Sequence, residues 1–281
     1  MRIAEPPPDT SSLAGLLTLK RALEQQAHEA RDQQRLPQAL AIMRQAAGVA
    51  ETLSSARFDR ADTRYELART LQDLALMEHD AGNLANAIAR LERSIRLLEP
   101  LAVERSSFHV SNDARRDLAQ FTARLGQYVA ERADTERARE LLQGSLAMFE
   151  CMCERADSPA GDVLIGFSEA LCCLGGLEVG AGNTGAGLQY LERALQMART
   201  GAMKQSGPRH WHQVYDVLRI YLHFMNPAED VQAWRELALH YRNEAQRLNE
   251  QFRTDEFTLY AEGLEHALAE LEAERMSSGG R

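Results

Sequence analysis

Four cysteines, Cys151, Cys153, Cys172 and Cys173, carry the first spacing that suggests chemistry. A Cys-x-Cys followed by a Cys-Cys invites a zinc reading. Structural zinc sites, however, favour Cys-x2-Cys pairs whose ligands converge on a tetrahedron. Neighbours on a helix point about 100° apart, so Cys172 and Cys173 do not readily share one ion. Core packing as small buried thiols is the expectation. His210-Trp211-His212, just after Gly207-Pro208, raises the same question. With no third ligand near it in sequence, a capping or packing role is expected. No cofactor and no metal are expected. No Gly-x4-Gly-Lys phosphate loop, His-Glu-x2-His zinc helix or Gly-x-Ser-x-Gly elbow occurs, so no catalytic residue is assigned.

Two clusters remain. Glycine is dense at Gly166, Gly175, Gly176, Gly180, Gly182, Gly185 and Gly187. An interior helical glycine costs about 1 kcal/mol against alanine, so several together need a reason. One reason is close helix packing plus a turn. The other is a shallow floor at Cys172, Gly176 and Gly180 that admits a partner's side chain. Aromatics gather late: Trp211, Tyr215, Tyr221, Phe224, Trp234, Tyr241, Phe252, Phe257 and Tyr260. These read either as a core sealing the end of the chain or as a docking face, with Arg219, Arg235 and Arg242 nearby. Self-association through this end is a further expectation.

The elements that position these residues repeat. Ala81-Gly-Asn-Leu-Ala-Asn-Ala-Ile-Ala-Arg-Leu-Glu-Arg returns 100 residues later as Ala181-Gly-Asn-Thr-Gly-Ala-Gly-Leu-Gln-Tyr-Leu-Glu-Arg. A weaker copy runs from Arg132 to Phe149. Ala87, Ala138 and Gly187 align at spacings of 51 and 49, and the frame extends back to Ala39 and forward to Ala233. Self-similarity at a fixed period is the mark of a stacked array. Ala87, Ile88, Leu91, Ile95 and Leu98 form a helical apolar stripe, as do Leu188, Leu191, Ala194, Leu195 and Ala198. Gly82-Asn83 and Gly182-Asn183 precede these helices. Each glycine is expected to end one helix in a left-handed conformation, and Asn83, Asn183 and Asp134 to cap the next. So short a junction makes the two helices antiparallel neighbours.

Longer turns are expected near 54–62, 106–112, 157–161 and 206–208, where Ser, Asp, Asn, Pro and Gly cluster. The helices are then 12–32, 35–55, 60–81, 84–104, 111–132, 135–153, 160–181, 184–201, 208–225, 228–251 and 254–276. Residues 12–276 form a single repeat domain, flanked by flexible tails at 1–11 and 277–281. The net charge of −9 argues against a general nucleic-acid binder. No apolar run approaches the roughly 20 residues that span a bilayer, and the start lacks a signal-peptide core. Few cysteines fit a reducing compartment, and the expectation is a cytoplasmic protein.

The repeated residues resemble the tetratricopeptide-repeat (TPR) family, whose pattern is Trp-x2-Leu-Gly-x2-Tyr, then Ala-x3-Phe, then Pro. The second unit offers Leu71-x2-Leu74-Ala75, Ala87-x3-Leu91 and Pro100 after the helix. The third offers Thr122-x2-Leu125-Gly126 and Ala138-x3-Leu142, and the fourth Leu171-x2-Leu174-Gly175 and Gly187-x3-Leu191. Aliphatic residues replace most of the family's aromatics, and Glu78 and Glu178 stand where Tyr is usual. The period of 46 to 51 exceeds the family's 34, which implies lengthened helices.

This resemblance implies an all-α, right-handed solenoid of about five antiparallel hairpins with a C-terminal capping helix. It also implies a non-catalytic scaffold or adaptor holding a protein or peptide segment in a concave groove lined by the first helix of each hairpin. Carried over by alignment, the groove residues are Arg69, Gln72, Leu76 and His79; Gln120, Ala123, Gln127 and Glu131; and Glu169, Cys172, Gly176 and Gly180. Bacterial arrays of this kind also serve as regulatory subunits of effector complexes. The competing expectation is a sensor that responds to a peptide or small molecule.

Overall fold

A computed structural model describes residues 12–55, 60–103, 108–205, 207–225 and 230–278. The expected tail at 1–11 and residues 279–281 of the expected tail at 277–281 lie outside this set, as do parts of the expected turns. Among the described residues the chain forms eleven helices and no strand. They are α1 (Leu13–Asp32), α2 (Leu36–Leu53), α3 (Ala61–Asp80), α4 (Leu84–Val103), α5 (Phe108–Glu131), α6 (Thr135–Glu154), α7 (Gly161–Gly180), α8 (Thr184–Met203), α9 (Arg209–Phe224), α10 (Val231–Phe252) and α11 (Asp255–Ser278). Two compact units result, residues 1–155 with α1 to α6 and 156–281 with α7 to α11.

The boundaries follow the expected ones with three corrections. Helix α5 begins at Phe108, inside the turn expected at 106–112, and Ser111 Oγ and Arg115 Nε donate to the Ala102 carbonyl at 3.3 and 2.7 Å. Pro100 lies inside α4 rather than after it. Helix α11 runs through Ser277 and Ser278, expected as tail, because nothing in the sequence stops it before Gly279.

Among the described residues, the turns joining α1 to α2, α3 to α4, α5 to α6 and α7 to α8 share one geometry. Gly82 and Gly182 adopt φ of 76° and 89°, the left-handed conformation expected of them. Gln34 (58°) and Ala133 (61°) take the same place in the other two turns. In each, the next amide bonds five residues back: Arg35 to Ala30, Asn83 to Glu78, Asp134 to Val129 and Asn183 to Glu178. This closure satisfies carbonyls that a helix end leaves open. The capping expectation fails for Asp134 and Asn183, whose side chains make no cap bond. The Asn183 amide instead donates to the Glu178 carboxylate at 2.6 Å.

Small residues set how the paired helices meet. Ser94 Oγ donates to the Ala68 carbonyl and Ser145 Oγ to the Ala119 carbonyl, both at 2.7 Å and both buried. In α7 and α8 the seam is glycine: a Cβ on Gly175 would lie 3.0 Å from the Gly187 carbonyl oxygen, and one on Gly187 2.7 Å from that of Gly175. Fourteen residues away, Gly161 and Gly201 repeat the arrangement at 2.8 and 2.9 Å. Gly161, Ser168 and Gly175 therefore face Gly187, Ala194 and Gly201 at a spacing of seven. Heptad spacing of small residues keeps two nearly antiparallel backbones close. This close approach explains Gly175 and Gly187 of the dense cluster, and Gly161 and Gly201 besides. Gly176, Gly180 and Gly185 have nothing within 4 Å of a built Cβ, so packing does not require them.

At the same register α9 and α10 use large residues. Tyr215 Oη donates to the Tyr241 carbonyl at 3.2 Å and Trp234 Nε1 to the Leu222 carbonyl at 3.1 Å. Trp211, Tyr215, Trp234, Tyr241 and Phe257 are all buried, so these five belong to a core rather than a docking face. Helix α7 corrects the expectation about apolar runs: by length and composition it is long and apolar enough to cross a membrane, with mean hydropathy 1.6. Here it is a core helix, half buried, carrying Asp162, Glu169 and Glu178.

Candidate binding face

In the first unit the first helices of successive hairpins, α1, α3 and α5, are joined side by side by polar bonds. Lys20, 3% exposed, places Nζ 2.9 Å from Glu24 and 2.6 Å from Glu66. Thr70 Oγ1 donates to Glu24 at 2.7 Å, and Arg31 pairs with Asp80 at 2.6 Å. Between α3 and α5, Tyr65 Oη donates to Asp117 at 2.7 Å. Burial, and then this bond, raise the Tyr65 pKa far above that of a free phenol. Arg116 pairs with both Asp117 and Asp113, at 3.0 and 3.3 Å.

His79 and Glu131 came from separate alignments of the repeat, and the fold brings them together. His79 Nε2 lies 2.8 Å from Glu131, and the imidazole stacks on Tyr128 with centroids 4.2 Å apart and planes 1° from parallel. Burial pushes the Tyr128 phenol up to about 12. Asp80, beside His79 Nδ1 at 3.9 Å, ties the pair back to Arg31. A chain Arg31–Asp80–His79–Glu131 thus crosses all three first helices.

The remaining predicted residues separate into two sorts. Arg69, exposed, and Gln72 and Leu76, half-buried, lie on α3, while Gln120 and Gln127 lie on α5. Ala123 is 5% exposed and belongs to the core instead. Opposing bonds set the register of α3 against α5 at 52 residues, as Tyr65–Asp117 and His79–Glu131 show. Gln72 is therefore level with Arg124, and Gln120 and Gln127 stand level with Ala68 and Ala75. Among the described residues no side-chain hydrogen bond or ion pair is seen for Gln72, Gln120, Gln127 or Arg124, while Tyr65, Asp117, Asp73 and Glu66 act electrostatically on Arg69.

In the second unit Glu169, Cys172 and Gly176 are half-buried on α7 and Gly180 is exposed at its end. Burial, with Cys173 and Glu169 nearby, pushes the Cys172 thiol up to about 12, which keeps it protonated and a poor nucleophile. Asp216 and Arg219 on α9 also act on it. All four cysteines are free thiols. Among the described residues no group of three or more His, Cys, Asp or Glu is placed to hold a metal. His212 packs against α11, with Nδ1 3.1 Å from Tyr260 Oη and Nε2 3.2 Å from Glu256.

Sequence reasoning missed Lys20, Glu78 and the Tyr65–Asp117 pair. Glu78 is 1% exposed between Arg44 and Arg90, at 3.5 and 3.8 Å. The one available signal was its place at the family's Tyr position, which marks a packed site.

No protein-family model and no curated protein matches this sequence. Solved structures do match. BtubC (BKLC) from P. vanneervenii superposes with a TM-score of 0.51 at 16% identity, over 69% of this chain and 67% of that one. MamA superposes at 0.37 and 13% identity, over 70% and 93%. The apo form of the quorum sensor NprR from B. thuringiensis gives 0.38 at 13%, over 95% and 78%. These neighbours are TPR-like helical-repeat proteins. Of these three, the first overlays closely enough to bear on this chain, and at that identity it speaks to the fold alone. Helix count, hairpin geometry and this neighbour agree on a TPR-like helical-repeat fold.

Proposed function

We propose that the protein is a non-catalytic interaction scaffold, and that the face formed by α1, α3 and α5 holds a segment of a partner protein. The supporting observation is the division of labour on that face. His79 and Glu131 are consumed in joining the helices, whereas among the described residues the side chains of Gln72, Gln120 and Gln127 have no hydrogen-bond partner, and Arg69 lies in the field of Asp117, Asp73 and Glu66. Each glutamine amide offers both donors and an acceptor, the complement of a peptide bond's C=O and N–H. Three of them beside Leu76 and Arg69 suit an extended, flexible segment, which supplies the ordering cost on a preformed surface.

The test starts from a partner recovered from the source cell. Its affinity is then measured for the Gln72→Ala/Gln120→Ala/Gln127→Ala variant and for an outer-face control, Arg96→Ala/Glu99→Ala on α4. The groove variant is expected to bind about tenfold more weakly, roughly 1.4 kcal/mol, and the control to change by less than about twofold. Equal effects of the two would sink the proposal.

A ligand-responsive role is the second reading. It draws on the open space at Gly176 and Gly180 beside the protonated Cys172 thiol. A thermal-shift screen of metabolites and short peptides separates it from a constitutive scaffold. Regulatory partnership with an effector enzyme and self-association remain within the scaffold reading; a co-purified enzyme and light scattering are their respective tests.

A further inference from the structure

Helices α3 and α5 meet in three rungs a heptad apart. Tyr65 with Asp117 is the first and His79 with Glu131 the third, closed at 2.7 and 2.8 Å. The middle rung is Gln72 with Arg124, seven residues from each outer rung on both helices. Both side chains are half-buried, and among the described residues neither makes a hydrogen bond or ion pair. Each outer rung contains a carboxylate, and the middle one contains none. Seven residues of helix rise about 10 Å, so Asp117 and Glu131 stand roughly two turns away on either side. The seam between α1 and α3 is closed along its length instead: Lys20 meets Glu66 at 2.6 Å, Thr70 meets Glu24 at 2.7 Å and Arg31 meets Asp80 at 2.6 Å. Arg124 thereby differs from its neighbours in charge. Glu24 and Glu66 hold Lys20, Asp80 holds Arg31, and Asp113 and Asp117 hold Arg116. Arg69 lies in the field of Asp117, Asp73 and Glu66. A half-buried guanidinium without a counter-charge has given up water and gained no anion in return.

We infer that the middle rung is a carboxylate site: an aspartate or glutamate side chain of the bound segment enters between Gln72 and Arg124 and accepts from the guanidinium and from the Gln72 amide. This rests on the groove reading above and adds the chemistry of what enters the groove. Arginine's planar fork matches the two oxygens of a carboxylate, and such charge-assisted bonds are about twice as strong as neutral ones. Gln120 and Gln127 stand one turn to either side of Arg124 on α5. Their amides are available to the peptide bonds that flank the entering acid. One guanidinium also matches a single negative charge. A phosphate brings nearly two, between the acids of the outer rungs.

The experiment presents the full chain with pools of short peptides, random in sequence except for a fixed central residue: glutamate, glutamine, lysine or phosphoserine. Binding of each labelled pool is read by fluorescence anisotropy. Wild type should bind the glutamate pool about tenfold more tightly than the glutamine pool, and the difference should shrink as salt rises. Arg124→Gln should abolish that preference. Arg124→Lys, which keeps the charge and loses the fork, should retain part of it. Arg124→Glu should transfer it to the lysine pool, and Arg96→Gln on α4 should leave it unchanged. Circular-dichroism melts establish that each variant is folded, and the wild-type preference is a test that needs no variant. Equal binding of all pools, a glutamate preference that survives Arg124→Gln, or tighter binding of the phosphoserine pool overturns the inference and leaves the groove reading standing. Binding of no pool by wild type overturns both.

Discussion

Gly175 and Gly187 meet backbone to backbone across the α7–α8 seam, each leaving no room for a Cβ beside the other's carbonyl oxygen. Two residues that look like weak points in two helices are thus the reason the helices can approach. Val179 closes the same contact: its Cγ2 would lie close against a Cβ on Gly187.

Glycines of α7 and α8 are consequently expected to respond to alanine in opposite directions. Gly187→Ala and Gly175→Ala overfill the seam and should each cost about 1–3 kcal/mol. Gly176→Ala meets nothing within 4 Å and gains helix propensity, so it should stabilise by up to ~1 kcal/mol. Urea unfolding of the three variants decides this; a stabilised Gly187→Ala would mean that the helices do not pack as described.

Serines along the seam make a second contrast. Ser94 and Ser145 donate to buried carbonyls. Their alanine variants leave those oxygens with one partner fewer and should lose about 1 kcal/mol each. Ser168 is equally buried, but its hydroxyl has no partner. Ser168→Ala should leave stability unchanged or raise it, because a buried unbonded hydroxyl contributes only its desolvation cost. Chemical denaturation at matched m-values is the appropriate measurement.

The turns give a third expectation. Gln34 and Ala133 hold φ near +60°, where a Cβ is strained by roughly 1 kcal/mol. Gln34→Gly and Ala133→Gly should therefore stabilise by about 0.5 kcal/mol, once the extra freedom of glycine in the unfolded chain is subtracted. Gly82→Ala should do the reverse. Thermal melts of single variants test each turn separately.

Thiol reactivity supplies a fourth. With its pKa raised to about 12, Cys172 carries a negligible thiolate fraction at pH 8. Iodoacetamide followed by peptide mass mapping should modify Cys172 at least about tenfold more slowly in the native protein than after denaturation. Equal rates in the two states would show that the thiol is neither buried nor suppressed.

Much of the architecture was written in local pattern. The 100-residue echo from Ala81, the small residues at Ala87, Ala138 and Gly187, and the turn glycines at Gly82 and Gly182 were enough to place the helices and pair them. These features are legible because each acts within one hairpin, through helical periodicity and through the backbone freedom of a single residue. Pairings between hairpins were not legible. Lys20 with Glu66, Tyr65 with Asp117 and His79 with Glu131 join residues 46 to 52 positions apart. A shift of one residue in register would have chosen different partners. Only the packed helices fix that register. They also decide which of two adjacent glycines, Gly175 or Gly176, lies against a backbone and which faces open space. One helical step turns a side chain by about 100°, and the neighbour that fills or leaves that direction comes from elsewhere in the chain.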